Sequence, residues 1–241
     1  MIPLRDRNPT RRTPIVTLAL IVACFVVFVV ELSITASGGD AALGRFFREW
    51  GAVPADISSA LEAGDFFGSA MLGAVTSMFL HGGWAHILGN MLFLWIFGNN
   101  VEDRLGPIPF LLFYVVGGLA AAFAQVVIDP QSTVPLVGAS GAIAAALGAY
   151  IVLYPGAKIV SLIFLGFIVQ VLEVPALIVL GYWFLIQLVS GFASFGAETA
   201  QGGVAFFAHI GGFVLGVVVG LVLRLFGTGT GRQGPAVGPM G

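Results

Sequence analysis

The stretch Gly138-Ala139-Ser140-Gly141 begins an apolar run of small residues that continues to Tyr154-Pro155. It follows a short polar loop that starts at Asp129-Pro130. A glycine-flanked serine in the first turn of a membrane helix has two explanations. Small residues let membrane helices approach closely, which is a packing role. Alternatively, Ser140 is a nucleophile, held where free backbone N–H groups can stabilise an oxyanion. The stretch alone favours packing, so the second explanation needs a base and an oxyanion site elsewhere in the chain.

The composition is typical of a polytopic membrane protein. Hydrophobic residues make up 58% of the chain, charged residues only 9%, and the mean hydropathy is +1.02. A soluble domain of 241 residues does not need this much apolar surface. The formal net charge of −2 gives no indication of nucleic-acid binding. Cys24 is the single cysteine, and the three histidines form no HExxH motif, so we expect neither a metal nor a cofactor.

Apolar runs predict an all-α polytopic membrane domain over residues 14–226, built as a bundle of six transmembrane helices. The predicted spans are 14–34, 84–101, 108–128, 137–155, 174–191 and 204–226. The length of the first run favours a retained helix over a cleaved signal peptide. The outer loop, 36–80, mixes charged and aromatic residues, which indicates a part-helical segment at the membrane surface. We expect the Gly/Pro-rich tail, 227–241, to be disordered and cytoplasmic.

Residues 158–191 are ambiguous, because they are nearly all apolar but are broken by Glu173 and Pro175. They form either two short spans, giving seven in total, or a loop segment followed by one span. With six spans, most basic residues fall on one side of the membrane, including those of the polar segment 1–13. The positive-inside rule then predicts that both termini are cytoplasmic. We also expect the protein to lie in the plasma membrane, with its active site opening to the outer face. The basic residues concerned are Arg5, Arg7, Arg11, Arg12, Arg104, Lys158, Arg224 and Arg232.

This orientation brings four polar residues to one depth near the outer face. His86 and Asn90 lie in the first turns of span two and are four residues apart, so they share a helix face. Ser140 begins span four, and His209 lies about five residues into span six, which is a rise of several ångströms. Helix–helix hydrogen bonds are the alternative role for these side chains. An ionisable residue inside a span is costly, which makes His209 a functional candidate.

Small residues recur every four positions in spans four and six. The stripes are Gly141, Ala145 and Ala149 in span four, and Ala208, Gly212, Gly216 and Gly220 in span six. Such stripes let two backbones approach closely. Close approach would bring Ser140 within reach of His209, which indicates a Ser-His dyad. No Asp or Glu lies within either span, so we expect no carboxylate in the site. The nearest candidates in the sequence are Asp129 and Glu198.

At this point the chain resembles the rhomboid intramembrane serine proteases. Four segments carry the resemblance, which extends over roughly residues 14–226. They are His81-Gly-Gly-Trp-Ala-His86-Ile-Leu-Gly-Asn90, Gly98-Asn-Asn-Val-Glu102-Asp-Arg104-Leu-Gly106, Gly138-Ala-Ser140-Gly141 and Ala208-His209-Ile-Gly-Gly212-Phe-Val-Leu-Gly216. Their order, spacing and placement in loops and spans all match the family pattern.

The resemblance implies a six-helix core around a water-filled cavity that opens to the outer face. It implies a serine endopeptidase in which Ser140 is the nucleophile, forming an acyl-enzyme, and His209 is the general base. The oxyanion would be bound by His86, Asn90 and the backbone N–H of Ser140. Supporting positions would be His81, Gly138, Gly141 and Gly212. The implied partners are the lipid bilayer and single-span membrane proteins, which are cleaved at small residues within a weakened helix.

Two departures from the family pattern are visible. Leu72-Gly73 stand where many members have Trp-Arg, so the first loop is expected to anchor differently. Ala144 stands where some members stack an aromatic ring on the base, so the platform for that imidazole must come from elsewhere or be absent. Two other functions compete with the protease. A catalytically inactive relative that binds or escorts membrane proteins would lack Ser140 or His209. A small transporter would place ionisable groups deeper in broken helices.

Overall fold

The computed structural model of the chain describes residues 1–165, 168–193 and 205–226. It confirms the predicted helical membrane fold. In chain order the helices are α1 (Ile15–Trp50), α2 (Pro54–Glu62), α3 (Ser69–Thr76), α4 (Trp84–Phe93), α5 (Asn99–Leu105), α6 (Pro107–Ile128), α7 (Ser140–Leu153), α8 (Ala176–Ala193) and α9 (Phe206–Phe226). A 3₁₀ turn, Ser77–Phe79, follows α3, and a π-helical turn, Leu94–Gly98, joins α4 to α5. The tail 227–241 lies outside the described residues.

Within the described residues, four helices are long and apolar enough to cross a membrane, namely α1, α6, α8 and α9. The six predicted spans are therefore not all recognisable by helix length. The second predicted span is divided by the π-helical turn into α4 and α5. The fourth is α7, whose 14 residues extend about 21 Å, less than the ~30 Å hydrocarbon core of a bilayer. Because Gly141 to Tyr150 are all buried, α7 is surrounded by protein rather than by lipid.

The region of the predicted outer loop, 36–80, contains the end of α1 together with α2 and α3. Gly39 interrupts α1 with a φ of +65°, a conformation that favours glycine, and so separates an apolar first part from a polar second part. The bridge between Ala52 and Leu136 ties this region to the segment before α7. Gly73 lies against Gly51, and a Cβ there would be 2.6 Å from the Gly51 carbonyl oxygen. At Gly73 the departure from the family pattern thus permits a close backbone contact.

An antiparallel sheet was not predicted. Its strand order is β1 (Ile2–Asp6), β2 (Lys158–Leu165) and β3 (Ile168–Pro175). β2 and β3 pair antiparallel, and among the described residues of 158–191 a single helix, α8, follows them. One helix after a non-helical segment corresponds to the second of the two alternatives for residues 158–191. β-branched residues explain the strands, since Ile159, Val160, Val171 and Val174 suit a pleated surface. Glu173 lies on this sheet in an exposed ion pair with Arg7 (2.7 Å), not inside a span.

The centre of the bundle is the contact between α7, α9 and α6. The close approach predicted from the small-residue stripes is present. A Cβ at Gly216 would collide with the backbone of Ala145, and one at Gly148 would collide with the carbonyl of Phe213. A Cβ at Gly141 would strike the Ala121 side chain of α6. These contacts hold the first turn of α7 against α9, which sets the distance between Ser140 and His209.

Candidate active site

Ser140 and His209 meet between α7 and α9. The Oγ atom of Ser140 lies 2.7 Å from Nε2 of His209, a hydrogen-bonding distance. Ser140 is the first residue of α7, and His209 lies in the first turn of α9. The small-residue contacts below them explain why two side chains 69 positions apart meet so closely. A serine hydroxyl next to an imidazole nitrogen is the arrangement needed for nucleophilic catalysis.

The other ring nitrogen of His209 contacts a residue that the sequence did not reveal. Nδ1 lies 2.8 Å from Oε1 of Gln187 on α8. Trp183, one turn earlier on α8, lies beside the imidazole with its ring centroid 5.9 Å away and the two planes inclined by 39°. Ala144 is fully buried in α7, so Trp183 is the aromatic neighbour of the base here. The only hint in the sequence was that Gln187 is the one amide in the apolar run 176–193.

His86 and Asn90 face the same cavity as Ser140 and His209. The cavity has a volume of about 730 Å³ and is also lined by Trp183. Asn90 is only 8% exposed, and its Nδ2 atom makes no hydrogen bond to any described residue. The Nδ1 atom of His86 accepts a 3.4 Å hydrogen bond from the backbone N–H of Gly82. A buried amide donor that lacks a partner can bind an oxygen atom entering the cavity.

Gly138 keeps open the space between His86 and Ser140. Its φ of +127° favours glycine, and its N–H donates to the carbonyl oxygen of Ser77 at 2.9 Å. A Cβ at this position would lie 2.7 Å from Nε2 of His86 and 3.5 Å from Oγ of Ser140. Because Ser140 begins α7, its own N–H has no partner within the helix. The ring of His86 and Oγ of Ser140 therefore border a space that a side chain at Gly138 would fill, and Asn90 lines the same cavity as these two residues.

His81 lies behind His86 rather than among the residues that line the cavity. It is 1% exposed, its ring centroid is 5.2 Å from that of His86, and its Nδ1 atom is 3.2 Å from the Phe79 carbonyl oxygen. Burial lowers the pKa of His81 to about 4, so the ring is neutral at physiological pH. Its backbone N–H donates to Oε1 of the buried Glu31 at 3.0 Å. These contacts fix the loop that precedes α4.

Of the remaining predicted positions, those that the structure describes lie in helix contacts or on the surface. A Cβ at Gly212 would collide with the Gly141 carbonyl, so Gly212 permits the approach of α9 to α7, whereas Gly141 makes room for Ala121 of α6. Asp129 is exposed at the end of α6. Glu198 lies outside the described residues. Among the described residues no group of His, Cys, Asp or Glu side chains is arranged to hold a metal ion. The structure thus brings Ser140, His209, His86 and Asn90 around one cavity. It also places Gln187 and Trp183 next to the ring of His209.

The chain is similar in sequence to known proteins of one family. The family model of the Rhomboid domain matches residues 69–226, more than half of the chain. Rhomboid protein 1, mitochondrial, of Saccharomyces cerevisiae is 28% identical over 156 residues, which are 63% of this chain and 42% of the relative. RHOMBOID-like protein 4 of Arabidopsis thaliana is 31% identical over 163 residues, 66% of this chain and 36% of the relative.

A bacterial relative matches a shorter region. Rhomboid protease GluP of Bacillus subtilis is 43% identical over 75 residues, which are 31% of this chain and 14% of the relative. The chain spans less than half the length of each of these three relatives.

Proposed function

The chain belongs to the rhomboid family, and on that premise we propose that it is an intramembrane serine endopeptidase that cleaves transmembrane helices. The observation that carries this proposal is the 2.7 Å contact between Oγ of Ser140 and Nε2 of His209 inside a cavity of about 730 Å³. A hydroxyl next to an unprotonated imidazole nitrogen can be activated as a nucleophile. The cavity also has room for the peptide that would be attacked.

In the proposed reaction, Oγ of Ser140 attacks the carbonyl carbon of the scissile bond while Nε2 of His209 takes the hydroxyl proton. The carbonyl oxygen becomes an oxyanion, which accepts hydrogen bonds from the Ser140 N–H, Nδ2 of Asn90 and His86. His209 then donates its proton to the leaving amine, and an acyl-enzyme remains. Water attacks the acyl group while His209 takes a proton from that water. His209 then gives the proton to Oγ of Ser140 as the bond from Oγ to the acyl carbon breaks, which releases the new carboxylic acid and restores the serine hydroxyl.

The proposed substrates are single-span membrane proteins. The cavity is lined partly by α4 and α8, and many side chains of α8 are exposed, among them Tyr182, Leu185 and Val189. Because so few of its side chains are covered by other helices, α8 would contact lipid and a substrate helix that diffuses in the bilayer. Small residues near the cleaved bond would let the substrate backbone enter the cavity, because glycine and alanine fill the least space, and glycine also weakens a helix.

The proposed orientation follows the basic residues. Arg5, Arg7, Arg104 and Lys158 belong to one side of the domain, and Arg224 lies in the last turn of α9. The positive-inside rule makes that side cytoplasmic, and we place the protein in the plasma membrane. A reporter enzyme fused after Arg232 should be active only in the cytoplasm. Activity on the outer side would contradict this orientation.

Labelling with a fluorophosphonate probe tests the proposed nucleophile. The purified protein in detergent should become labelled at Ser140, and Ser140→Ala should remove the label. Ser161→Ala is the matched control, because Ser161 is a fully buried serine in β2 and should leave labelling unchanged. An unlabelled wild-type protein that is folded and still binds transmembrane helices would favour the inactive, escort-like alternative.

A further inference from the structure

We infer that Gln187 is a positioning residue that fixes the orientation and tautomer of His209, in the place where soluble serine proteases use a carboxylate. This inference rests on the proposed function, in which His209 is the general base. It concerns a residue of α8 that touches the base but does not touch the reacting atoms.

A neutral imidazole carries one proton, on either Nδ1 or Nε2. Nε2 must be unprotonated to accept the Ser140 proton, and this nitrogen is the one 2.7 Å from Oγ. Nδ1 must therefore carry the proton and needs an acceptor. Oε1 of Gln187 lies 2.8 Å away and is an acceptor only, so this contact selects the productive tautomer. Within the described residues, these two side chains are the hydrogen-bond partners of the His209 ring.

An amide suits this place better than an acid. Gln187 is 8% exposed, so a carboxylate here would lose most of its hydration. An ionised carboxylate in an apolar environment is far more costly to bury than a hydrogen-bonded amide. An amide oxygen still accepts a hydrogen bond from the Nδ1–H group and does not require a charge to be buried. The spans that carry Ser140 and His209 contain no Asp or Glu that could orient the imidazole. Gln187 of α8 therefore supplies the orienting contact.

Aromatic packing holds the amide in place. Trp183 and Gln187 are four residues apart and share one face of α8. Trp183 lies beside the imidazole, while Gln187 binds its Nδ1 edge. The neighbouring Phe184 stacks on Phe213 of α9 with ring centroids 4.4 Å apart. The contact between α8 and α9 thus fixes the register of Gln187 relative to His209, and rotation of the imidazole is restricted both at its face and at its edge.

Two substitutions separate positioning from packing. Gln187→Leu keeps the volume but removes the acceptor, and Gln187→Glu keeps an acceptor. With a transmembrane substrate, we expect Gln187→Leu to lower kcat by about tenfold with little change in KM, the change that ~1.4 kcal/mol of barrier produces. We expect Gln187→Glu to restore most of that kcat, because a carboxyl group buried here takes up a proton and still offers its carbonyl oxygen to Nδ1. Val218→Ala, on the exposed face of α9, the helix that carries His209, is the control and should keep wild-type kcat.

The ring itself gives a readout that a packing role would not change. The chain contains three histidines, so ¹⁵N-histidine labelling of the full-length protein in micelles gives three pairs of ring signals. His209→Ala assigns the pair of interest. We expect the wild-type His209 to be protonated on Nδ1, Gln187→Glu to keep this tautomer, and Gln187→Leu to populate the Nε2–H form.

Three results would overturn the inference. They are a wild-type His209 protonated only on Nε2, a Gln187→Leu variant with the wild-type tautomer and kcat, and a Gln187→Glu variant that loses as much kcat as Gln187→Leu. The wild-type spectrum alone shows which nitrogen of His209 is protonated, so it tests the inference even if Gln187→Leu does not fold. Loss of the fluorophosphonate label in Ser140→Ala tests the proposed function separately, so the failure of one proposal can be told from the failure of the other.

Discussion

At the scale of single residues, the amide of Asn90 carries a buried donor, and Asn90 lines the same cavity as Ser140. Its Nδ2 atom is buried and makes no hydrogen bond to a described residue, although an unpaired buried donor costs about 1–3 kcal/mol. Such a cost is understandable if the donor binds an oxygen that exists only during the reaction. Interactions made only in the transition state raise kcat rather than lower KM.

We therefore predict that Asn90→Ala lowers kcat by about 10- to 100-fold, less than the ~10²–10³ for a single essential donor, because His86 and the Ser140 N–H remain. KM should change little, and the melting temperature should not fall. Leu88→Ala, on the exposed side of α4, is the control and should keep its activity. An unchanged kcat in Asn90→Ala would exclude this amide from the oxyanion site. Steady-state cleavage by the purified proteins measures both constants.

At the scale of helices, the contact between α7 and α9 sets the geometry of the site. Gly216 lies against the backbone of Ala145, where an added Cβ would collide with the carbonyl. A backbone cannot move aside as a flexible side chain can, so overpacking here should separate the two helices. Overpacking of a well-packed core typically costs ~1–3 kcal/mol. The same displacement should carry His209 away from Ser140.

We predict that Gly216→Ala destabilises the protein by about 1–3 kcal/mol and reduces kcat together with the fluorophosphonate labelling rate. Gly181→Ala is the matched control, because a Cβ at Gly181 in α8 meets no atom within 4 Å. That control should be neutral or stabilising by ~0.5–1 kcal/mol, because alanine favours helix. Thermal unfolding measures both. Equal stability of the two alanine variants would show that the close approach of α7 and α9 is not required.

The sheet has its own connection to the bundle. Asp6 of β1 accepts hydrogen bonds from the Tyr150 hydroxyl of α7 at 2.8 Å and from Nδ2 of Asn100 at 2.7 Å. Burial raises the pKa of the Asp6 carboxyl above its ordinary value of 3.8, and this effect outweighs the hydrogen bonds. The folded protein therefore binds this proton more tightly than the unfolded chain does. Asp6 lowers stability as the pH rises from its ordinary pKa through its raised pKa.

We predict that Asp6→Asn has a higher melting temperature than the wild type at pH 7, because it removes the buried charge and keeps an oxygen acceptor for Tyr150. Below the ordinary pKa of 3.8 both side chains are neutral, so the difference should disappear. Unfolding of both proteins between pH 3.5 and 8 measures the effect. A less stable Asp6→Asn at pH 7 would mean that the hydrogen bonds of the ionised carboxylate outweigh its burial.

For the whole molecule, sequence patterns predicted which polar side chains lie close together better than they predicted the regular structure. The contact between Ser140 and His209 could be predicted because small-residue stripes and equal depth are properties of a sequence. The strands β2 and β3 could not be recognised, because a short apolar run fits a buried helix and a strand equally well. The π-helical turn Leu94–Gly98 leaves no hydrophobic signature. Gln187 was missed because its role depends on the packing of α8 against α9, a long-range contact that no local pattern contains.

The central claim is that Ser140 and His209 together cleave peptide bonds within the membrane. The most direct test is cleavage of a single-span substrate by the purified protein in liposomes, with the product masses locating the cut. We predict a cut inside the transmembrane segment by the wild type, loss of turnover in Ser140→Ala and in His209→Ala, and less than about a tenfold loss in Asp129→Asn, a change of barrier below ~1.4 kcal/mol. Cleavage that persists in Ser140→Ala, or a cut that lies outside the transmembrane segment, would contradict the account.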